Sequence, residues 1–193
     1  MKNLLLFTLL LITITGCSEK FTPKPRGYFR IEFPEKSYHQ LNKAFPYNFE
    51  VPHYSVIKKD SRNPDEQYWI NVTIPENNAE VHISYYNIEK KRTPVMLAEF
   101  MDETRSLAYK HSIKADAIEE QVFMNHRERV FGTIYRISGN AASPIQFFLT
   151  DSTTHFLRGA LYIREVPKID SIQPVIDFLE PDIIRLIETT TWE

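Results

Sequence analysis

The chain has 193 residues, with 23 lysines and arginines against 25 aspartates and glutamates, six histidines and one cysteine. That near-neutral balance supplies no basic face for nucleic acid and no obvious electrostatic pull toward anionic headgroups. A single cysteine allows no internal disulfide, so a folded domain here must rest on its packed core.

The chain opens Met1-Lys2-Asn3 and continues from Leu4 to Ile14 as eleven residues without charge. Crossing roughly 30 Å of hydrocarbon takes about 20 apolar residues, so this run is too short to span a bilayer. It fits the apolar stretch of a secretory signal. Ile14-Thr15-Gly16-Cys17 then places an aliphatic residue and two small ones before the cysteine, a pattern that resembles the bacterial lipobox. Cleavage is expected between Gly16 and Cys17, with the Cys17 thiol taking up diacylglycerol. Each buried methylene contributes about 0.8 kcal/mol, so two or more acyl chains hold firmly where one does not.

Loss of residues 1–16 leaves 177 residues, the usual size of one domain. Residues 17–27 form the lipidated cysteine and a tether, in which Pro23 and Pro25 favour an extended path of about 3.1 Å per residue, at most about 30 Å in all. The tether holds the domain close to its membrane. Residues 28–193 are expected to form a single globular α+β domain.

Along that domain the alternation is mostly that of strands. Tyr28 to Phe33 alternates imperfectly and stops at Pro34, and Tyr47 to Val51 alternates cleanly and stops at Pro52. Tyr68 to Ile74 and Ala79 to Tyr86 flank Pro75-Glu76-Asn77-Asn78, a hairpin connection. Within the second, Val81, Ile83 and Tyr85 share one face. Thr93-Pro94 then reads as an N-cap with proline at the first helical position. Leu97, Phe100, Met101, Thr104, Leu107, Ala108 and His111 follow at helical spacing, predicting four to five turns. Strands resume over Glu120–Met124, Arg129–Ile137, Ile145–Thr150 and His155–Ile163, with turns at Ser138-Gly139-Asn140 and Asp151-Ser152-Thr153-Thr154. From Ile169 to Thr189, Ile172, Val175, Ile176, Leu179, Ile183, Leu186 and Ile187 fall on one helical face. Pro174 and Pro181 interrupt it and predict a kink or two short helices. About eight strands and two principal helices without βαβ alternation indicate an α+β fold, an antiparallel sheet flanked by helices.

No catalytic constellation accompanies these elements. The glycines after the signal, at positions 27, 132, 139 and 159, stand alone, so there is neither a phosphate loop nor a nucleophile elbow. Cys17 is consumed by lipid. The six histidines lack the two-to-four-residue spacing of a helical zinc motif. Asp151-Ser152-Thr153-Thr154-His155 unites an acid, hydroxyls and an imidazole, but Asp and Ser also suit a polar turn between apolar strands, and the turn is the preferred reading. Asp60-Ser61-Arg62-Asn63-Pro64-Asp65-Glu66 offers oxygen ligands without the glycine or spacing of an EF-hand, which favours a solvated loop. No metal, no cofactor and no enzymatic activity are expected. Tyr, Phe and Trp total 25. In pairs such as Tyr85-Tyr86 and Phe147-Phe148 one ring should enter the core while the other faces a helix or the surface.

Several longer strings carry a family resemblance. Pro25-Arg26-Gly27-Tyr28-Phe29-Arg30-Ile31-Glu32-Phe33-Pro34 soon after the lipobox cysteine resembles the gliding motility lipoproteins of the GldD family. So do Phe45-Pro46-Tyr47, Trp69-Ile70-Asn71 and the stretch from Leu107 to Asp116. Ser143 to Ser152 and His155 to Leu161 are similar to the family's most distinctive region. The resemblance covers nearly the whole mature chain. It implies a lipoprotein of Bacteroidota-type bacteria that is required for gliding and tied to type IX secretion, with no catalytic residues to carry over. The order of strands and helices is also similar to that of the PsbP/Mog1-like α-β-α sandwich.

Taken with the anchor, the resemblance implies a non-enzymatic accessory in the cell envelope, attached to the membrane through Cys17 and facing the periplasm. Its partners would be proteins of the gliding and type IX secretion complex, with no nucleic acid. Candidate partner-binding residues are Arg26, Tyr28, Phe29 and Arg30 beside the tether, then the loop surface around Asp151, His155 and Arg158. The alternative is a periplasmic module that holds a small or lipidic ligand in a cavity between sheet and helix. A hydrolase is the third reading, and it would need a pocket converging on Asp151, Ser152 and His155.

Overall fold

Alternation along the strands and two stretches of helical periodicity resolve into three layers, α-β-α. The computed structural model describes residues 32–41, 45–89, 94–110, 114–164 and 169–193. In chain order these form β1 (Tyr38–Gln40), β2 (Tyr47–Asn48), β3 (Glu50–Pro52), β4 (Val56–Lys59), β5 (Ile70–Ile74), β6 (Ala79–Asn87), α1 (Pro94–Tyr109), β7 (Ala115–Asn125), β8 (Val130–Gly139), β9 (Ile145–Thr150), β10 (His155–Ile163), α2 (Ile169–Glu188) and β11 (Thr191–Trp192). The main sheet is antiparallel with the order β4-β5-β6-β10-β9-β8-β7, so β10 is its middle strand. A three-residue ladder of β1 with β3 and a two-residue ladder of β11 with β2 accompany it. Among the described residues, no helix is long and apolar enough to cross a membrane.

Each face of the sheet has its own core. Val72, Val81, Ile83, Tyr85, Phe147, Leu149, Leu157 and Leu161 turn toward α2 and bury against Ile172, Val175, Ile176, Leu179, Ile183 and Leu186. These side chains fill the space between the sheet and α2. On the other face a smaller cluster of Ile88, Ala108, Tyr135, Ile137, Phe148 and Phe156 lies under α1, with Tyr86, Leu97 and Phe100 packed around it. Adjacent aromatics therefore divide as period two requires: Tyr85 and Phe147 enter one core, Tyr86 and Phe148 the other.

Some boundaries differ from the sequence reading. Tyr47 to Val51 is not one strand, because the ladder breaks at Phe49, whose ring is fully buried. Short β1, β4 and β11 carry too few residues to show a period. The last helix is one element from Ile169 to Glu188 rather than two. Pro174 and Pro181 both lie on its exposed side, where water can take up the carbonyls that proline leaves unpaired, while the apolar face drives the helix through. The signal, Gly16 and Cys17, the tether and Arg26, Tyr28, Phe29 and Arg30 all lie outside the described residues, as do Thr93 and His111.

The segment before the sheet is clasped to α2 by one buried carboxylate. Asp182 accepts hydrogen bonds from Lys36 Nζ at 2.7 Å, from Tyr38 Oη at 2.8 Å and from Tyr54 Oη. Lys36 Nζ also donates to the Phe178 carbonyl at 2.6 Å and sits 3.8 Å from the centre of the Phe178 ring. Phe33 stacks on the same ring at 4.2 Å. Burial, reinforced by Asp182, pushes the Tyr38 phenol up to about 12. Three donors on one carboxylate satisfy a charge that would otherwise be costly to bury.

Between the middle strands the tightest contact is that of Gly159 with Phe147. Their Cα atoms are direct partners across the β10–β9 ladder, and a Cβ at Gly159 would lie 2.1 Å from the Phe147 ring. The ring is fully buried and has no space to retreat into. Gly159→Ala is therefore expected to destabilise the full chain by about 3 kcal/mol or more in urea unfolding, as overpacked cores do. Adding Phe147→Leu should recover part of the loss. An unchanged midpoint in the single variant would show that the sheet yields at this point.

Candidate functional site

Helix α1 crosses its face of the sheet obliquely. Near its start Phe100 packs on Tyr86 of β6 and Phe156 of β10, with ring centroids at 4.8 and 5.1 Å. At its end Ala108 joins Tyr135 and Ile137 of β8, and Tyr109 Oη donates to Glu120 of β7 at 2.6 Å. A helix is about 10 Å wide and a strand rises roughly 3.3 Å per residue, so a single oblique helix shields about three residues of each strand. Among the described residues, no helix covers the corner formed by β4, β5, β6 and the second half of β10.

Polar side chains occupy that corner in rows set by the strand register. One row is Thr73, Glu80 and Tyr162; the next is Asn71, His82, Ala160 and Gln146; the third is Ser84, Arg158 and Phe148. Glu80 is only 4% exposed. Its carboxylate is met by His82 Nε2 at 2.6 Å and by the Arg164 guanidinium at 2.9 and 3.0 Å. With Nε2 donating to Glu80, His82 Nδ1 is left to accept from Arg62. Burial, and then the Arg62 charge, push the imidazole pKa below its usual value, against the pull of Glu80 and Asp60. Arg62 also pairs with buried Asp60 at 3.5 Å, and Asp60 accepts further bonds from the Arg62 backbone N–H and Asn63 Nδ2. The Tyr162 ring meets His82 edge to face, with centroids 4.9 Å apart.

These groups frame a hollow of about 280 Å³ lined by Asp60, Arg62, Trp69, His82, Ser84, Arg158 and Tyr162, among others. Arg158 differs from the other two arginines. Its guanidinium donates to the Gln146 side chain at 3.3 Å, but among the described residues no carboxylate pairs with it, and its Nε is buried without a hydrogen-bond partner. A second hollow of about 580 Å³ lies beside it, walled by Glu66, Tyr68, Tyr85, Tyr86, Met96 and Phe100, among others. Trp69 stands between the two, its indole N–H bonded to the Tyr85 carbonyl at 2.9 Å and its ring against Tyr86 at 5.3 Å.

The loop surface expected around Asp151, His155 and Arg158 is not one surface. His155 begins β10, and three residues along a period-two strand reverse the side-chain direction. His155 faces the α2 side, where its Nδ1 bonds Tyr85 Oη at 2.9 Å and its ring stacks on Trp192 at 5.0 Å. Arg158 faces the α1 side. The Asp151 carboxylate is spent on its own turn: it accepts the backbone N–H groups of Thr153, Thr154 and His155 and the Thr153 hydroxyl at 2.6 to 2.9 Å. That is the polar turn preferred from the sequence. Likewise Asp60 organises its own loop. Of the proposed partner-binding residues that lie among the described residues, only Arg158 belongs to the polar corner. Glu80, His82 and Ser84 carried a signal as polar residues at every second position of β6, but their partners Arg62, Tyr162 and Arg164 become visible only with the register.

The Asp151 turn makes a pH-dependent contribution. Burial works against the carboxylate, but the Thr153 hydroxyl and the His155, Thr154 and Thr153 N–H groups outweigh it and hold the pKa at about 2. An unfolded aspartate titrates near 3.9, so the contribution is complete above about pH 4 and is lost as pH falls toward 2; it amounts to about 2 kcal/mol. Asp151→Asn should be less stable than the native chain at pH 7, and the gap should close between about pH 4 and pH 2 in urea unfolding. A gap independent of pH would show that the carboxylate's charge does not hold the turn.

Comparison with known proteins adds a family and a fold likeness. No curated protein matches the sequence. Among solved structures the chain is similar to the solution structure of cyanobacterial PsbP (CyanoP) from Synechocystis sp. PCC 6803, at 10% identity and a TM-score of 0.46, over 88% of this chain and 98% of that one. The family model described as gliding motility lipoprotein GldD matches residues 18–192, nearly the entire length, including the whole sheet, both helices and the polar corner. The chain therefore belongs to the gliding motility lipoprotein GldD family.

Proposed function

We propose that this chain is a non-enzymatic accessory or assembly component of the gliding and type IX secretion machinery. In this reading it is lipid-anchored through Cys17, faces the periplasm and docks a protein partner on the helix-free corner of its sheet. Family membership supports the link to gliding motility. The observation that carries the docking role is the grouping of Arg62, Trp69, Arg158 and Tyr162 around one hollow. Arginine, tryptophan and tyrosine dominate binding energy at protein interfaces, because they offer large area and directional donors. Here Trp69 and Arg62 are already held by hydrogen bonds to Tyr85, His82 and Asp60. Their rotamers are therefore fixed before a partner arrives, which lowers the entropy lost on binding. Arg26, Tyr28, Phe29 and Arg30, close to the anchor, form a second docking patch in this reading.

A photoreactive phenylalanine analogue in place of Tyr162 tests the reading in living cells, with the same analogue at exposed Gln173 on α2 as a control. Capture of identified motility or secretion subunits from position 162 and not from 173 is the expected result. Capture of lipid alone, or of nothing from protein that is folded and anchored, would replace docking with the binding of a small or lipidic ligand.

A further inference from the structure

From the charge around Arg158 we infer that the polar hollow is a carboxylate-binding site, in which one monoanionic carboxylate serves as the missing counter-ion of Arg158. The inference deepens the docking proposal by stating the chemistry the partner presents, and it rests on that reading for the source of the carboxylate.

Three observations converge. First, Arg158 is half-buried at the boundary between the α1 core and the hollow, next to Phe148 in register, and it has no carboxylate partner among the described residues. Glu66 and Glu103 oppose its charge in the field at Tyr86, but neither forms an ion pair with it. A desolvated guanidinium without a counter-ion is unfavourable unless an anion reaches it. Second, its Nε is buried without an acceptor among the described residues, so a donor stands ready for an oxygen that these residues do not supply. Third, the charges around the hollow do not cancel. Arg62, Arg158 and Arg164 face Asp60 and Glu80, while burial and the Arg62 charge favour the neutral form of His82. Among the described side chains that line the hollow, Arg62 and Arg158 exceed Asp60 by one positive charge, which a single carboxylate neutralises. A phosphate dianion would overshoot it and meet repulsion from the two buried carboxylates. The planar fork of arginine also suits a carboxylate in two-point contact. Arg62 and the Ser84 hydroxyl line the same hollow and complete its donor set.

The source is either an acidic side chain of a docked protein or a free organic acid. Titration of the full chain in detergent, followed through Trp69 fluorescence in a Trp192→Phe background, distinguishes them. The probes are sodium butyrate, the blocked tripeptide acetyl-Gly-Glu-Gly-amide and sodium phosphate, all at constant ionic strength. Saturable binding of a carboxylate probe, weakened about tenfold or more by Arg158→Gln and less by Arg158→Lys, is the expected result. Tighter binding of the tripeptide indicates a protein side chain, and tighter binding of butyrate a free acid; either supports the site. Saturation by phosphate alone, equal binding by Arg158→Gln, or no saturation by either carboxylate overturns it. Should Arg158→Gln not fold, Arg62→Gln on the exposed rim gives the same reading with a smaller loss. If the carboxylates bind while crosslinking at position 162 captures no protein, the docking proposal fails and the site stands. If a subunit is captured but no carboxylate binds, the site fails alone.

Discussion

The ring of Phe147 lies where a side chain at Gly159 would have to be, and the two strands that meet there are the middle of the sheet. Because β10 pairs with β6 on one side and β9 on the other, its register sets which residues face α2 and which face α1 across both ladders. A shift of one residue would send Leu157 and Leu161 to the surface and bury Arg158 and Tyr162 in the larger core. The close approach at Gly159 accommodates one register only, and the contents of both faces follow from it.

Those faces are treated unequally. The α2 side is closed: a continuous apolar stripe on a 20-residue helix seals it, and the Asp182 clasp adds the segment that precedes the sheet. The α1 side has one oblique helix for seven strands. A helix of that width cannot shield so large a sheet, so part of the face must be polar or be covered by something else. The chain uses polar residues at alternate positions of β5, β6 and β10, then restrains them with one another. Glu80, His82, Arg62 and Asp60 form a chain of paired groups whose charges are mostly answered within it. Among the described residues Arg158, at the junction of apolar and polar regions, is the unanswered group, and on that ground the corner is read as a surface for a partner.

Much of the fold was legible in the residues because it depends on local periods. The span of α1 follows from the spacing of Leu97, Phe100, Thr104 and Ala108; β9 and β10 follow from apolar runs bounded by the Asp151 turn. The division of Tyr85-Tyr86 and Phe147-Phe148 between two cores needed only period two. What was not legible depends on pairing between distant segments. His155 and Arg158 are close in sequence and were grouped, yet the strand separates them to opposite faces. His82 and Arg62 are twenty positions apart, and nothing along the chain announces that the Asp60 loop folds over β6. The long α2 persisted through two prolines because its buried face outweighed two lost hydrogen bonds, a balance that composition alone does not reveal.

The central claim is that the polar corner serves function rather than stability, and the double variant Arg62→Ala/Tyr162→Ala tests it most directly. Thermal unfolding of the full chain and the gliding of cells carrying it would be measured together, at matched protein levels. The account predicts a stability change within about 1 kcal/mol, as for surface positions outside a core, with gliding strongly impaired. Normal gliding by cells that carry the folded double variant would contradict it.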